Sequence, residues 1–414
     1  MEGRRSGVAA RRARGASPAR ASLDGEPKLT RSRGRLSDGA LLSRLVAFDT
    51  TSHRSNLPLV DFLSDYLDRP GLRIERNFSA DETKTNLIVT IGPETDDRTG
   101  LVLSGHMDVV PAVEPEWGSD PFTMLDATDR YVGRGTSDMK GFLALAANRL
   151  AALEAGSLRH PLTLLFTYDE EIGTLGARRF TESFRHAAHL PRDVVIGEPT
   201  ELRVVRAHKG MIRLRLTFTG QAAHSGYPHL GRSAIEPAGR AITALAGLRS
   251  AMEHERHTAG EAFPQVPFAA LNIGTVVGGR AANVIPDRCE LMLGVRLLPG
   301  MTATTMTERI RDVVAREADE TVTLELLGES PAMLLDADAR IHRTLCDIVG
   351  QRELHSVMFA TDAGWLQHAG FDCVLFGPGS IEVAHRPNEF LPVDQFRRAG
   401  EVLDELVHRS CVQS

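Results

Sequence analysis

Four short apolar runs in this chain each lead into the side chains that hold transition metals. Leu101-Val102-Leu103-Ser104-Gly105 runs into His106-Met107-Asp108, and Leu162-Thr163-Leu164-Leu165-Phe166 runs into Asp169-Glu170-Glu171. Val194-Val195-Ile196-Gly197 ends at Glu198, and Val374-Leu375-Phe376 leads through Gly377-Pro378-Gly379 towards His385. Runs of this length read as buried strands. In open α/β sheets, ligands gather beyond the carboxyl ends of such strands. Strand ends that repeatedly carry imidazole or carboxylate therefore imply one shared site, and the residue types make it metallic.

The rest of the pattern agrees with such a sheet. From Leu36 onward, helical and strand patterns alternate. Leu41–Val46, Leu57–Leu67 and the Ala/Leu-rich Gly141–Leu153 are expected helices, and Leu87–Ile91 an expected strand. This alternation predicts an α/β fold: a mainly parallel sheet with helices on both faces. The character changes near Gly210. Ile212-Arg213-Leu214-Arg215-Leu216-Thr217-Phe218 alternates apolar with polar, as in an antiparallel strand with one wet face. Cys289–Leu297 and Thr321–Leu327 read as further strands, and Ser233–Met252 and Thr302–Ala318 as helices. The α/β pattern returns after Glu329, with helices near Ala337–Val349 and Val393–His408. The economical reading is a catalytic α/β domain over 36–208 and 328–412, interrupted by a smaller α+β domain over 209–327.

Length and composition bound the rest. At 414 residues, two domains are the natural expectation. No apolar stretch approaches the roughly 18 residues of a membrane span. Cys289, Cys346, Cys373 and Cys411 lie far apart with no CxxC, which suits a reducing cytoplasm and leaves metal binding to His and carboxylate. The net charge of −6 is uneven. Residues 1–36 carry ten Arg/Lys and three acids, +7 in all, so the remainder carries −13. An acidic body argues against nucleic acid as a partner. Residues 1–35, rich in Arg, Ala, Gly and Ser, are expected to form a disordered basic extension. An Arg-rich start also suits a transit peptide, but no amphipathic helix is evident there.

The candidate residues keep ordinary alternatives when taken singly. His106 and Asp108 project to one face of a strand, so one could ligate while the other holds the imidazole; a structural His would look the same. Asp138, in the Gly-punctuated turn Gly133–Gly141, could bridge two cations or simply cap a helix. Asp169, Glu170 and Glu171 repel one another unless a cation or solvent separates them. Glu198 precedes Pro199, which fixes an extended turn. Gly377 and Gly379 let the backbone near His385 approach a ligand closely. Together, two histidines and several carboxylates suit a pair of Zn²⁺ or Co²⁺ ions. Such a pair can activate water and polarise a carbonyl, with a spare carboxylate taking the water's proton.

In order along residues 37–410, these segments resemble a known family. The segments are Gly105-His106-Met107-Asp108-Val109-Val110-Pro111, Gly133-Arg134-Gly135 through Asp138-Met139-Lys140-Gly141, Asp169-Glu170-Glu171, Gly197-Glu198-Pro199-Thr200, and Gly377-Pro378-Gly379 with His385. The family is the co-catalytic metallo-amidohydrolases that include acetylornithine deacetylase, succinyl-diaminopimelate desuccinylase and glutamate carboxypeptidase. The resemblance implies that His106, Asp138 and Glu198 hold one ion and Asp138, Glu171 and His385 the other. It implies Asp108 as the residue orienting His106, and Glu170 as the general base. It also implies that the inserted domain mediates dimerisation, acts as a lid, and carries a histidine, here His224, to the oxyanion in the partner's site. Arg296 is similar to the family's substrate-carboxylate clamp and Asn283 to a further substrate contact.

Local segments resemble the acetylornithine deacetylase branch: Gly197–Leu202, Arg206–Gly210, and Gly377–Glu382 ahead of Ala384–Glu389. Tyr227-Pro228-His229-Leu230 instead resembles the desuccinylases. The resulting expectation is a cytoplasmic homodimer that hydrolyses an N-acyl amino acid, N²-acetyl-L-ornithine first among candidates.

Overall fold

The computed structural model describes residues 34–94, 97–317 and 322–412. Except for Gly34 and Arg35, the expected basic extension lies outside them. So do the expected helix end at Ala318 and strand start at Thr321.

Among the described residues, the principal sheet has nine strands. Its centre consists of four parallel strands in the order Leu162–Thr167, Leu101–His106, Asp193–Ile196 and Asp372–Leu375. These are the four apolar runs that end in metal-type residues. Because they are parallel and adjacent, their carboxyl ends open on one edge of the sheet. The flanks are antiparallel: Thr85–Ile91 runs against Leu162–Thr167, and Leu72–Phe78 lies outside it. On the other side, Val205–His208 pairs antiparallel with the end of Asp372–Leu375 and with Met333–Leu334, and parallel with His355–Val357.

Alternation along the buried strands divides the core between the two faces. Leu101, Leu103, Leu162, Leu164, Phe166, Val195 and Val374 pack with the helices Asp38–Val46, Gly141–Ala152 and Val393–Val407. Val102, Leu165, Val194, Ile196 and Leu375 pack with Leu175–Ser183 and Ala363–His368 on the opposite face. Helices therefore cover both faces, as the alternation predicts. The long, evenly apolar runs follow from that double burial.

Residues 210–317 and 322–330 form a second layer. A four-stranded antiparallel sheet runs in the order Ala270–Gly278, Arg288–Leu297, Gly210–Thr219, Val322–Ser330. The helices Ile235–His254 and Ala303–Glu317 cover one face, over a core that includes Ile212, Leu214, Leu216 and Phe218. The edge strand Ala270–Gly278 escapes the sequence pattern because its outer half is exposed and carries no apolar–polar alternation.

Candidate metal centre

His106 ends its strand fully buried. Its Nδ1 lies 2.9 Å from the main-chain oxygen of Asp108 and its Nε2 lies 3.0 Å from Oδ1 of Asp138. A carbonyl only accepts, so Nδ1 carries the hydrogen. A neutral imidazole then turns its Nε2 lone pair towards a carboxylate oxygen. That contact becomes attractive only with a proton or a metal cation between the two ligand groups. Burial alone would lower the proton affinity of His106, but Asp138, Asp108 and Glu170 raise its pKa well above the ordinary value.

The remaining groups converge on the same point. His385 Nε2 lies 3.3 Å from Asp138 Oδ2 and 3.0 Å from Glu171 Oε2. These two carboxylates push the His385 pKa up to about 10. Glu198 is buried, with Oε1 lacking any hydrogen-bond partner. Burial, with the Asp138 charge as the next largest effect, raises its pKa well above the usual range. Burial and neighbouring carboxylates also raise Glu170 and Glu171. A buried acceptor without a donor is costly, and so are crowded carboxylates without a cation.

Among the described residues, two sets of side chains bring ligand-type atoms close enough to hold a metal ion, His106–Asp138–Glu198 and Asp138–Glu171–His385, with the atoms of each set within 4.8 Å of one another. Asp138 belongs to both, one oxygen facing His106 and the other His385. The lone-pair contact, the orphaned Glu198 oxygen and the His/carboxylate donors all fit a pair of divalent cations.

The main chain sets this geometry. Glu170 and Glu171 sit on a turn that begins at Asp169 with φ +54°, a left-handed conformation uncommon for a side chain other than glycine. Lys84 pins that turn by an ion pair to the Asp169 carboxylate and a hydrogen bond to the Ser52 carbonyl. The Asp108 carboxylate holds it from the other side. It accepts from the main-chain nitrogens of Glu170 at 3.0 Å and Glu171 at 3.3 Å, and from Ser52 Oγ at 2.7 Å. Asp108 therefore has two separate contacts. Its carbonyl orients His106, whereas its carboxylate, 3.7 Å from Nδ1, belongs chiefly to the glutamate turn.

A cavity of about 250 Å³ opens onto the cluster and is lined by Asp138, Glu170, Glu171, Glu198 and His385, with Arg213 and Arg296 from the second layer. Arg296 thus reaches the site. Gly377 and Gly379 do not line the cavity; their missing side chains make room for the protein itself. A Cβ at Gly377 would come within 2.5 Å of the Glu198 carbonyl, and one at Gly379 within 2.0 Å of Ser137 Oγ. They allow the loops bearing Glu198 and Asp138 to close-pack.

His224 and Asn283 lie together at an exposed end of the second layer, outside this cavity. Ser225 N donates to the Asn283 carbonyl at 3.0 Å, and His224 bridges to Val284. His224 Nδ1 accepts from Gly226 N at 3.0 Å, which leaves the imidazole hydrogen on Nε2 in the neutral ring.

Sequence reasoning missed Lys84, Arg213 and Glu389. Arg213 donates to the Ile172 carbonyl, tying the second layer to the glutamate turn. These contacts join residues far apart in sequence, and nothing local marks them.

Known proteins resemble this chain over most of its length. The family model described as "Peptidase family M20/M25/M40" matches residues 102–409. The acetylornithine deacetylase of Myxococcus xanthus is 37% identical over 383 residues, covering 90% of this chain and 97% of its own. That of Edwardsiella ictaluri is 36% identical over 370 residues, covering 88% and 94%. Among solved structures, the M20 metallo-carboxypeptidase Sso-CP2 of Sulfolobus solfataricus aligns with a TM-score of 0.74 at 17% identity, over 89% of this chain and 98% of that one. The YXEP protein of Bacillus subtilis, described as a dinuclear metal-binding peptidase, aligns with a TM-score of 0.61 at 17% identity over 89% and 98%. On a shared fold, near-full-length similarity and a ligand cluster at the ends of its parallel strands, the chain belongs to peptidase family M20/M25/M40.

Proposed function

We propose that this protein hydrolyses the amide bond of N²-acetyl-L-ornithine, giving L-ornithine and acetate. The observation that carries this reading is the similarity to acetylornithine deacetylases over about nine-tenths of the chain, at 37% identity for the first relative. The two ligand sets joined at Asp138 support the reaction type.

His106, Asp138 and Glu198 would hold one divalent ion, and Asp138, Glu171 and His385 the other. Zn²⁺ is the expected metal, with Co²⁺ as a functional substitute, since two imidazoles and three carboxylates suit both. When bound, such ions polarise the amide carbonyl and acidify water at neutral pH. Glu170 lines the cavity beside both ligand sets and takes the proton as water adds to the carbonyl carbon. It returns that proton to the departing nitrogen as the C–N bond breaks, so one carboxylate serves as base and then as acid. Arg296 anchors the substrate's α-carboxylate from the second layer. His224, with its hydrogen on Nε2, donates to the tetrahedral oxyanion, a contribution of about 3–4 kcal/mol for such a donor.

Because His224 and Asn283 lie outside the cavity of their own chain, they are assigned to a neighbouring subunit's site or to a closed form of the lid. The domain reading supports this: a catalytic domain over 36–208 and 328–412, with a lid and dimerisation domain over 209–327. Exposed apolar side chains concentrate in that inserted layer, including Tyr227, Leu230, Val276 and Val277. The Ala270–Gly278 strand is a sheet edge. These features suit a homodimer interface. The four cysteines are free thiols, which suits the cytoplasm, and among the described residues no helix is long and apolar enough to cross a membrane.

One substrate panel tests the assignment. N²-acetyl-L-ornithine, N-succinyl-diaminopimelate and a peptide with C-terminal glutamate are compared at equal concentration. Preference for the first is expected, and preference for the second would favour the desuccinylase reading suggested by Tyr227–Leu230.

A further inference from the structure

We propose that Glu389 is a positioning residue that fixes the turn bearing Asp138, so that the carboxylate shared by both ligand sets is in place before any ion binds. This rests on reading His106, Asp138, Glu171, Glu198 and His385 as metal ligands.

Glu389 is 1% exposed and stands just before the strand Phe390–Pro392. That strand pairs with Arg130–Val132, which leads into the Gly133–Gly141 turn. Oε1 of Glu389 accepts from the main-chain nitrogens of Ser137 at 2.8 Å and Asp138 at 3.0 Å. Oε2 accepts from Gly135 N at 3.0 Å and from Arg134 Nη1 at 2.8 Å. An ionised carboxylate offers about four acceptor positions, and here four donors occupy them.

The turn needs this acceptor. Thr136 N and Lys140 N find main-chain carbonyls of the turn itself, Gly133 at 3.2 Å and Gly135 at 2.8 Å. The N–H groups of Gly135, Ser137 and Asp138 point to Glu389 instead. The backbone there is not helical, with φ −124° at Asp138 and −136° at Met139. Without Glu389, three buried donors would lack acceptors, each a cost that favours another turn conformation. The competing explanation is a stabilising ion pair between Glu389 and Arg134. An ion pair would not require both oxygens to be committed to the main chain of a ligand-bearing turn.

The same short segment also carries His385. Glu389 thereby ties one ligand of the second set to the residue that both sets share, across four residues of chain.

The test measures Zn²⁺ affinity of the full-length protein by competition with a chromophoric chelator. Wild type is compared with Glu389→Gln and Arg134→Lys. Glu389→Gln replaces one acceptor oxygen by an NH₂ that faces N–H donors, and a loss of affinity of about 10–100-fold is expected. Arg134→Lys leaves Glu389 and its three main-chain bonds in place and is expected to keep wild-type affinity. Wild-type affinity in Glu389→Gln, or an equal loss in Arg134→Lys, overturns the proposal. A second measurement does not depend on any variant folding. In metal-free wild-type protein, the Ser137 and Asp138 amides should resist hydrogen exchange, and exchange at an unprotected rate overturns the proposal. Wild-type protein that binds no Zn²⁺ would overturn the ligand reading itself, and the exchange measurement would still decide whether Glu389 holds the turn.

Discussion

The carboxylate of Asp108 lies 3.0 Å from the main-chain nitrogen of Glu170, three residues beyond the end of the adjacent parallel strand. One strand end thus carries a proposed ligand, His106, and also the group that holds the neighbouring strand's glutamates in register with it. The His106 contact runs through the Asp108 carbonyl, which any residue at 108 supplies.

This separation predicts the behaviour of Asp108→Ala. The main-chain contact to His106 survives, so the variant should still bind two ions. The glutamate turn loses its clamp, and misplacement of this kind costs on the order of 100-fold in turnover. Kinetics together with elemental analysis check it; normal turnover would show that the clamp is dispensable.

Glu170→Ala removes the proposed proton acceptor and none of the proposed ligands. Metal content should stay at two ions per chain while turnover drops by about 10²–10⁴-fold. Near-normal activity in this variant would sink the assignment of the base.

His385 bridges Asp138 and Glu171 from an exposed loop and is the most accessible of the proposed ligands. His385→Ala should lose or weaken one ion, read by elemental analysis after dialysis. Unchanged two-ion stoichiometry would remove it from the set.

His208, which is not among the proposed ligands, supplies a pH-dependent contribution to stability. It is fully buried, and Nε2 has no partner. Burial lowers its pKa to about 4, against 6.5 for an exposed imidazole. Between those values the unfolded chain takes up a proton that the native protein refuses. Stability is therefore intact above pH 6.5 and declines as the pH falls towards 4. Between pH 7 and 5 the loss from this one group is about 2 kcal/mol. Denaturant unfolding at both pH values checks this, and His208→Leu should flatten the difference. An equal slope in that variant would assign the acid sensitivity elsewhere.

Much of the site is legible in the sequence because a parallel strand buried on both faces needs a continuous apolar run. The ends of Leu101–His106 and Leu162–Thr167 are therefore visible without any structure, and with them His106, Glu170 and Glu171. Glu198 follows in the same way from Asp193–Ile196. The second layer is visible where one face is wet, as in Gly210–Thr219, and fades where exposure blurs the pattern, as in Ala270–Gly278.

What the sequence determined by itself was the inventory: which residue types stand at which strand ends, and that Asp138 belongs to a glycine-punctuated turn. The tertiary structure decided the partnerships. Asp138 became the shared carboxylate because its two oxygens face histidines that are 279 positions apart in the chain, at 106 and 385. The Asp108 carboxylate went to the Glu170 turn, Gly377 and Gly379 went to loop packing, and Glu389 took the amides that the Asp138 turn leaves free. The physical reason is that a buried polar group must find its partner wherever the fold supplies one, and sequence distance places no limit on that choice.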